Sequence, residues 1–303
     1  MRVVLTGASG QLGRYVAERL ARTEWSVARW WGRRAEQPAG DGMQTVDLQD
    51  HRAVVSALEA FDPAAVIHLG AISAVEEARR DPERARAVNV EATRTVAQWC
   101  SARGRKLVFT STDLVFDGRL PRRYREDDPP SPETTYGRTK VDAEAAALAA
   151  PGGIVARLSL LYGPAKPGGV ATYLDRAMTA FHQGETQAFF EDEFRTPLDL
   201  ETAAEILVRL AESDRSGLVH VGGAERVSRY ELAQRIASAL CLDSRLLQRN
   251  RQCEQTFAEP RPADVALDTT RLVEWLPDLR RPTIEESAVR LWDRTITNRR
   301  DGE

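Results

Sequence analysis

The chain has 303 residues, 42% of them hydrophobic and 29% charged, with a net charge of −3 at neutral pH. That composition is ordinary for a globular protein with one large domain or two, and its mild acidity gives no electrostatic hold on nucleic acid or an anionic membrane. No apolar run approaches the roughly 20 residues of a membrane helix, and a strand begins at Arg2, which leaves no room for a signal peptide.

Short apolar runs alternate with longer helical patterns through the first half, which predicts βαβ units and a parallel sheet. Strands are expected over residues 3–6, 26–30, 44–46, 65–69, 106–111 and 154–158, with helices over 12–22, 52–61, 82–103 and 136–149 between them. The third helix opens on Pro82 after Asp81, a start signal. Its apolar positions Ala85, Val88, Ala92, Val96 and Trp99 recur every three or four residues, the spacing of a sheet-facing stripe. Residues 121–132, rich in proline and charge, read as an exposed loop. After Gly163 the rhythm changes, with helices expected over 170–182, 200–212, 230–240 and 284–292 and short strands such as 218–221. The expected fold class is α/β. A Rossmann-type doubly wound parallel sheet occupies residues 1–163. A smaller mixed α/β substrate lobe occupies 164–303, some of whose elements can return to the first unit, and it covers the carboxyl ends of the strands, where open α/β sheets bind ligands. Three widely spaced cysteines, Cys100, Cys241 and Cys253, make neither a metal cluster nor a disulfide framework. They are expected to be packing residues in a protein of the reducing cytoplasm.

The turn Thr6-Gly7-Ala8-Ser9-Gly10-Gln11-Leu12-Gly13 follows the first strand and opens the first helix, the context that a dinucleotide motif requires. Its glycines permit a tight turn and let backbone approach a pyrophosphate, and the helix then offers its free N–H groups and positive end to the phosphates. An NAD site usually carries an acid roughly 20 residues further on. Here Arg33 and Arg34 stand instead, two guanidiniums suited to a 2′-phosphate, so NADP(H) is expected, with NAD(H) as the alternative. Asp47 and Leu48 are placed at the adenine, with Asp47 alternatively a helix start signal before His51. Leu69, Gly70 and Ala71 are expected to lie against the cofactor. His68 beside them reads as a core histidine with no chemistry.

Further on, Tyr136-Gly137-Arg138-Thr139-Lys140 puts a phenol and an ammonium one helical turn apart. Reducing a carbonyl with a nicotinamide hydride needs a proton donor for the oxygen and a group to polarise it. A tyrosine serves if its pKa falls from about 10 toward neutrality. Lys140, helped by the positive nicotinamide of the oxidised complex, is expected to lower it and to bond the nicotinamide ribose, and a hydroxyl ending the fifth strand, Ser111 or Thr112, to share the carbonyl. A Tyr-x-x-x-Lys alone occurs often by chance; its place after a strand and loop, downstream of a glycine motif, gives it weight.

On these residues the chain resembles an extended short-chain dehydrogenase/reductase and, within that superfamily, the dTDP-4-dehydrorhamnose reductase group. The resemblance covers nearly the whole chain. It is carried by Ser111-Thr112-Asp113-Leu114-Val115-Phe116-Asp117-Gly118, by Glu126-Asp127-Asp128-Pro129, and by Tyr136 to Lys140 leading into Asp142 and Glu144. Arg157-Leu158-Ser159-Leu160-Leu161-Tyr162-Gly163 and Arg261-Pro262-Ala263-Asp264-Val265-Ala266-Leu267-Asp268 also fit. It implies Thr112, Tyr136 and Lys140 as the catalytic set, hydride transfer to the C4 ketone of a nucleotide-linked 4-keto-6-deoxy sugar, and a substrate site that includes Asp113, Arg195 and Arg261. The departures fall on the substrate side. Leu114 stands where tyrosine is frequent, Phe194-Arg195-Thr196-Pro197 replaces a Gly-x-Pro-Thr segment, and Glu76 replaces an aspartate. Arg195 is expected either at a diphosphate or in a surface ion pair with Asp192 or Glu193. Gly32-Arg33-Arg34-Ala35, Phe116-Asp117-Gly118 and Arg261-Pro262 are also similar to the regulatory β-subunit of methionine adenosyltransferase, which binds NADP and acts as the partner of another enzyme. A regulatory role is therefore the alternative, with a sugar-nucleotide epimerase or dehydratase behind it. The superfamily often pairs through exposed helices, which makes a homodimer the candidate assembly.

Overall fold

Runs rich in valine, isoleucine and leucine form a sheet of seven parallel strands in the computed structural model, which describes residues 1–32, 43–167, 169 and 171–300, with side chains as far as Trp292. Six strands come from the first half: β1 (Arg2–Thr6), β2 (Ser26–Trp31), β3 (Met43–Thr45), β4 (Ala65–His68), β5 (Lys106–Thr112) and β6 (Gly153–Leu158). From one edge to the other the order is Gly217–Val221, β6, β5, β4, β1, β2, β3. The order reverses between β1 and β4, so the chain leaves a crevice at their carboxyl ends.

Alternation along the strands sends side chains to two separate cores. Val3, Leu5, Ile67 and Ile154 meet helices Gln11–Leu20 and Leu200–Glu212 on one face. Val4, Val66, Phe109 and Val155 meet His51–Phe61, Ala92–Ala102 and Thr135–Leu148 on the other. Helices covering both faces explain why the central strands read as continuous apolar runs.

The helix expected over 82–103 is divided. Pro82–Arg86 runs into one π turn, Ala87–Glu91, and then into Ala92–Ala102. A short helix, Val75–Arg80, precedes it. The strand expected over 218–221 stands at the edge of the main sheet, paired in parallel with β6. The remaining chain, including helices Tyr173–His182 and Arg229–Ala239, covers the carboxyl ends of β5 and β6. Of the cysteines, Cys100 is buried as expected, whereas Cys241 and Cys253 lie exposed and are not core residues. Among the described residues, no helix is long and apolar enough to cross a membrane, and no group of three His, Cys, Asp or Glu side chains could hold a metal ion.

Candidate active site

A cavity of about 600 Å³ lies at the carboxyl ends of β1, β2 and β4. It brings together the glycine turn (Gly7, Ser9, Gly10, Gln11, Leu12, Gly13), the loop after β3 (Asp47, Leu48) and the end of β4 (Leu69, Gly70, Ala71). Arg33 and Arg34 lie outside the described residues; β2 delivers Trp30, Trp31 and Gly32 to the wall. Gly7 has φ +67°, and a Cβ there would stand 2.8 Å from the Gly70 nitrogen. Only glycine lets the two loops close together in this way. Helix Gln11–Leu20 begins at Gly10 with no side-chain cap, so its amino-terminal N–H groups remain available to an anion. Backbone donors, close-set glycines and apolar walls fit a dinucleotide.

Asp47 accepts from the Gln49 amide at 3.0 Å, whereas the helix after it is capped by Asp50, which accepts from Arg52 and Ala53. Asp47 is thus a cavity residue in its own turn. His68 is fully buried, and burial holds its pKa down at about 3. The Thr6 hydroxyl already accepts from the Leu69 and Gly70 amides, so its proton goes to His68 Nδ1, 2.7 Å away, and His68 Nε2 donates to Thr93 at 3.1 Å. The ring is a neutral brace for the β4 loop, as its sequence context suggested.

A second cavity, of about 450 Å³, meets the first at Ser73 and carries Thr112, Asp113, Tyr136, Arg195 and Arg261 on its walls. Thr112 ends β5, and Tyr136 opens helix Thr135–Leu148, whose cap is the Thr134 hydroxyl. Gly137 makes their approach possible, since a Cβ there would lie 2.3 Å from the Leu114 carbonyl oxygen. The Thr112 hydroxyl donates toward Asp113 at 3.3 Å and accepts from the Leu114 amide at 3.2 Å. Burial, and next the Asp113 carboxylate, push the Tyr136 phenol well above its ordinary value; its hydrogen bond with Thr112 pulls weakly the other way.

Lys140 is not among the groups that shift the Tyr136 phenol in the cofactor-free chain. The lysine is itself buried, its Nζ resting 4.1 Å from the Phe109 ring centre, and burial holds its pKa down at about 7 against the support of Glu144. A group that is half-neutral at physiological pH supplies little fixed positive charge. It also makes a measurable stability term. Below pH 7 the folded chain must carry a desolvated ammonium; between pH 7 and 10.5 the unfolded lysine keeps its proton while the folded one has lost it, so the cost shrinks as pH rises. Lys140→Met is therefore expected to stabilise the cofactor-free protein, by up to about 5 kcal/mol at pH 6 and by little at pH 10.5, as read from urea unfolding at the two pH values. A gain independent of pH would show that the ammonium is not the source.

Arg195 is paired with Glu193 at 2.9 Å, one of its two expected partners, but the pair is buried and not at the surface, and the Arg195 Nε lies 3.6 Å from Asp113. Arg261 reaches the other Glu193 oxygen at 2.8 Å and still borders the cavity. Asp113 accepts from Ser159 at 3.2 Å, and burial raises its pKa against the pull of Arg195. Glu76 is held by Arg79 and Arg80 at the cavity rim. Residues that escaped the sequence are Asn89 and Arg229. Asn89 sits in the π turn, where its amide bonds both backbone groups of Ile72 and the Thr139 hydroxyl. It thereby ties the β4 loop to the tyrosine helix. An asparagine amid a helical apolar stripe was the one available signal; nothing foretold the π turn, a feature frequent at functional sites.

The chain is 31% identical over 278 residues to methionine adenosyltransferase 2 subunit beta of Pongo abelii, covering 89% of this chain and 81% of that one. It is 29% identical over 294 residues to a probable low-salt glycan biosynthesis reductase of Haloferax volcanii, covering 96% and 97%. The crystal structure of dTDP-4-dehydrorhamnose reductase from Bacillus anthracis in complex with NADP superposes with a TM-score of 0.83 at 23% identity, over 97% of this chain and 99% of that one. The family described as RmlD substrate binding domain matches residues 1–294. The chain belongs to the RmlD substrate binding domain family.

Proposed function

We propose that the chain is an NADPH-dependent reductase that transfers hydride to the C4 ketone of a nucleotide-diphospho-4-keto-6-deoxy sugar. The observation that carries this reading is the placement of Tyr136 and Thr112 together on the wall of a cavity that meets a glycine-lined cleft fit for a dinucleotide. The glycine turn and the end of helix Gln11–Leu20 would hold the pyrophosphate, Asp47 and Leu48 the adenine, and Leu69 to Ala71 the segment toward the ribose. Arg33 and Arg34 would select the 2′-phosphate, and NAD(H) is the weaker fit. Bound there, the cofactor supplies the hydride. Thr112 turns its hydroxyl from Asp113 to the keto oxygen and polarises it; Tyr136 gives that oxygen its proton; Lys140 holds the ribose. The likeness to a glycan biosynthesis reductase over almost the whole chain supports the same reading.

A second reading, an NADP-binding regulatory subunit, is favoured by the likeness to methionine adenosyltransferase 2 subunit beta. The test is spectroscopic: NADPH and NADH oxidation with dTDP-4-dehydrorhamnose. Turnover supports the reductase. Tight NADPH binding with no turnover of keto-sugar nucleotides, together with a stoichiometric partner enzyme in pull-downs, supports the regulatory role.

A further inference from the structure

Arg195, the arginine that the sequence points to as a diphosphate ligand, has no donor to spare. A guanidinium has five N–H donors. Those of Arg195 go to Glu193 (2.9 Å), Pro262 O (3.1 Å), Phe194 O (2.6 Å) and Ala263 O (3.3 Å), with Nε facing Asp113. Its neighbour Arg229 is held differently. It opens helix Arg229–Ala239, and its Nε donates to Glu193 Oε1 at 2.6 Å. Among the described residues its two terminal nitrogens have no hydrogen-bond acceptor. The bond at Nε fixes the plane of the guanidinium, and the residue lines the cavity.

Glu193 is fully buried and braces three guanidiniums, those of Arg195, Arg229 and Arg261. Against them stand two carboxylates, Glu193 and Asp113, so this wall keeps a positive excess. The acids across the cavity are committed, Glu76 to Arg79 and Glu259 to Arg138. Arg229 also stands at a junction. It borders the cavity of Tyr136 and, beside it, an apolar cavity of about 640 Å³ walled by Tyr173 and Phe189.

We propose that Arg229, braced on Glu193, binds the diphosphate of the substrate, with the sugar reaching Tyr136 on one side and the nucleoside entering the aromatic cavity on the other; this rests on the sugar-nucleotide reading above. Two terminal nitrogens of a fixed guanidinium match adjacent phosphate oxygens as a charge-assisted pair.

The probes are dTDP, UDP and thymidine, titrated calorimetrically into the full-length protein saturated with NADP. Arg229→Met, which keeps the aliphatic stem, should weaken dTDP about 10- to 100-fold, the worth of hydrogen bonds to a charged group. Thymidine and NADPH affinities should stay unchanged, and Arg229→Lys should recover part of the loss. Wild-type dTDP affinity in a folded Arg229→Met protein, or an equal loss for thymidine, overturns the assignment. Wild-type protein that binds NADPH but neither dTDP nor UDP overturns the sugar-nucleotide reading itself.

Discussion

Tyr136→Phe is expected to lower NADPH-dependent turnover of dTDP-4-dehydrorhamnose by about 10²–10⁴-fold, the usual contribution of a general acid, with NADPH affinity nearly unchanged. The two parts follow from one geometry. The phenol borders the second cavity, while the dinucleotide cleft is lined by the glycine turn, the β2 and β3 ends and the β4 loop. Phenylalanine keeps the ring that packs with Ile72, Ala78 and Ala85 and removes only the hydroxyl, so the fold loses no packing volume. Because burial and Asp113 hold the phenol above its ordinary value, its proton stays in place through the neutral range, as a donor in the reductive direction must keep it. Loss of the tyrosine proton should therefore not limit reduction anywhere in the neutral range. Following NADPH absorbance for wild type and variant checks the assignment, and a variant that keeps wild-type turnover would remove Tyr136 from the chemistry.

How much of this was legible beforehand depends on whether the signal was local. The glycine turn was readable because strand, turn and helix adjoin in sequence, and the cleft uses all of the named glycines. Thr112 and Tyr136 were readable as the end of a strand and the start of a helix, and Gly137 after the tyrosine lets that helix close on the Leu114 carbonyl just beyond Thr112. What escaped depends on three-dimensional environment. Lys140 lies one turn from Tyr136, as its spacing requires, yet its charge is governed by desolvation against Phe109, which spacing does not reveal. Arg195 and Arg229 are both arginines near acids in sequence. Only the folded cluster around Glu193 separates the one whose donors are exhausted from the one whose end remains available. Asp47 read alternatively as a helix start signal, but the Arg52 and Ala53 amides donate to Asp50, which sequence reasoning had passed over. The strand Gly217–Val221 was seen as a strand but not as a member of the main sheet, because its partner β6 lies far away in sequence.

The largest loss of stability is expected at a pair that performs no chemistry. Glu144→Ala should destabilise the protein by about 3–5 kcal/mol, the cost of stranding one member of a buried ion pair. Arg157 on β6 grips Glu144 with two hydrogen bonds, 2.9 Å from Nε and 2.7 Å from Nη2, and the side chains are only 3% and 5% exposed. Glu144 belongs to the helix that carries Tyr136 and Lys140, so the pair fastens the reaction centre to the sheet. An arginine cannot escape by shedding its proton, and the remaining contact, the Phe116 ring at 5.0 Å, does not replace a carboxylate. Lys140 can escape, because the loss of Glu144 removes the carboxylate that supports its ammonium and its pKa falls further. The destabilisation should therefore come from Arg157, and the double variant Glu144→Leu with Arg157→Met should regain most of it, since apolar groups of similar volume often match a buried pair. Urea unfolding of the wild type, Glu144→Leu, Arg157→Met and the double variant gives the coupling directly. Single variants as stable as the wild type would mean that the helix is held by its apolar face alone. A double variant that regains stability would mean that the pair fixes where the tyrosine helix sits, not how strongly the fold holds.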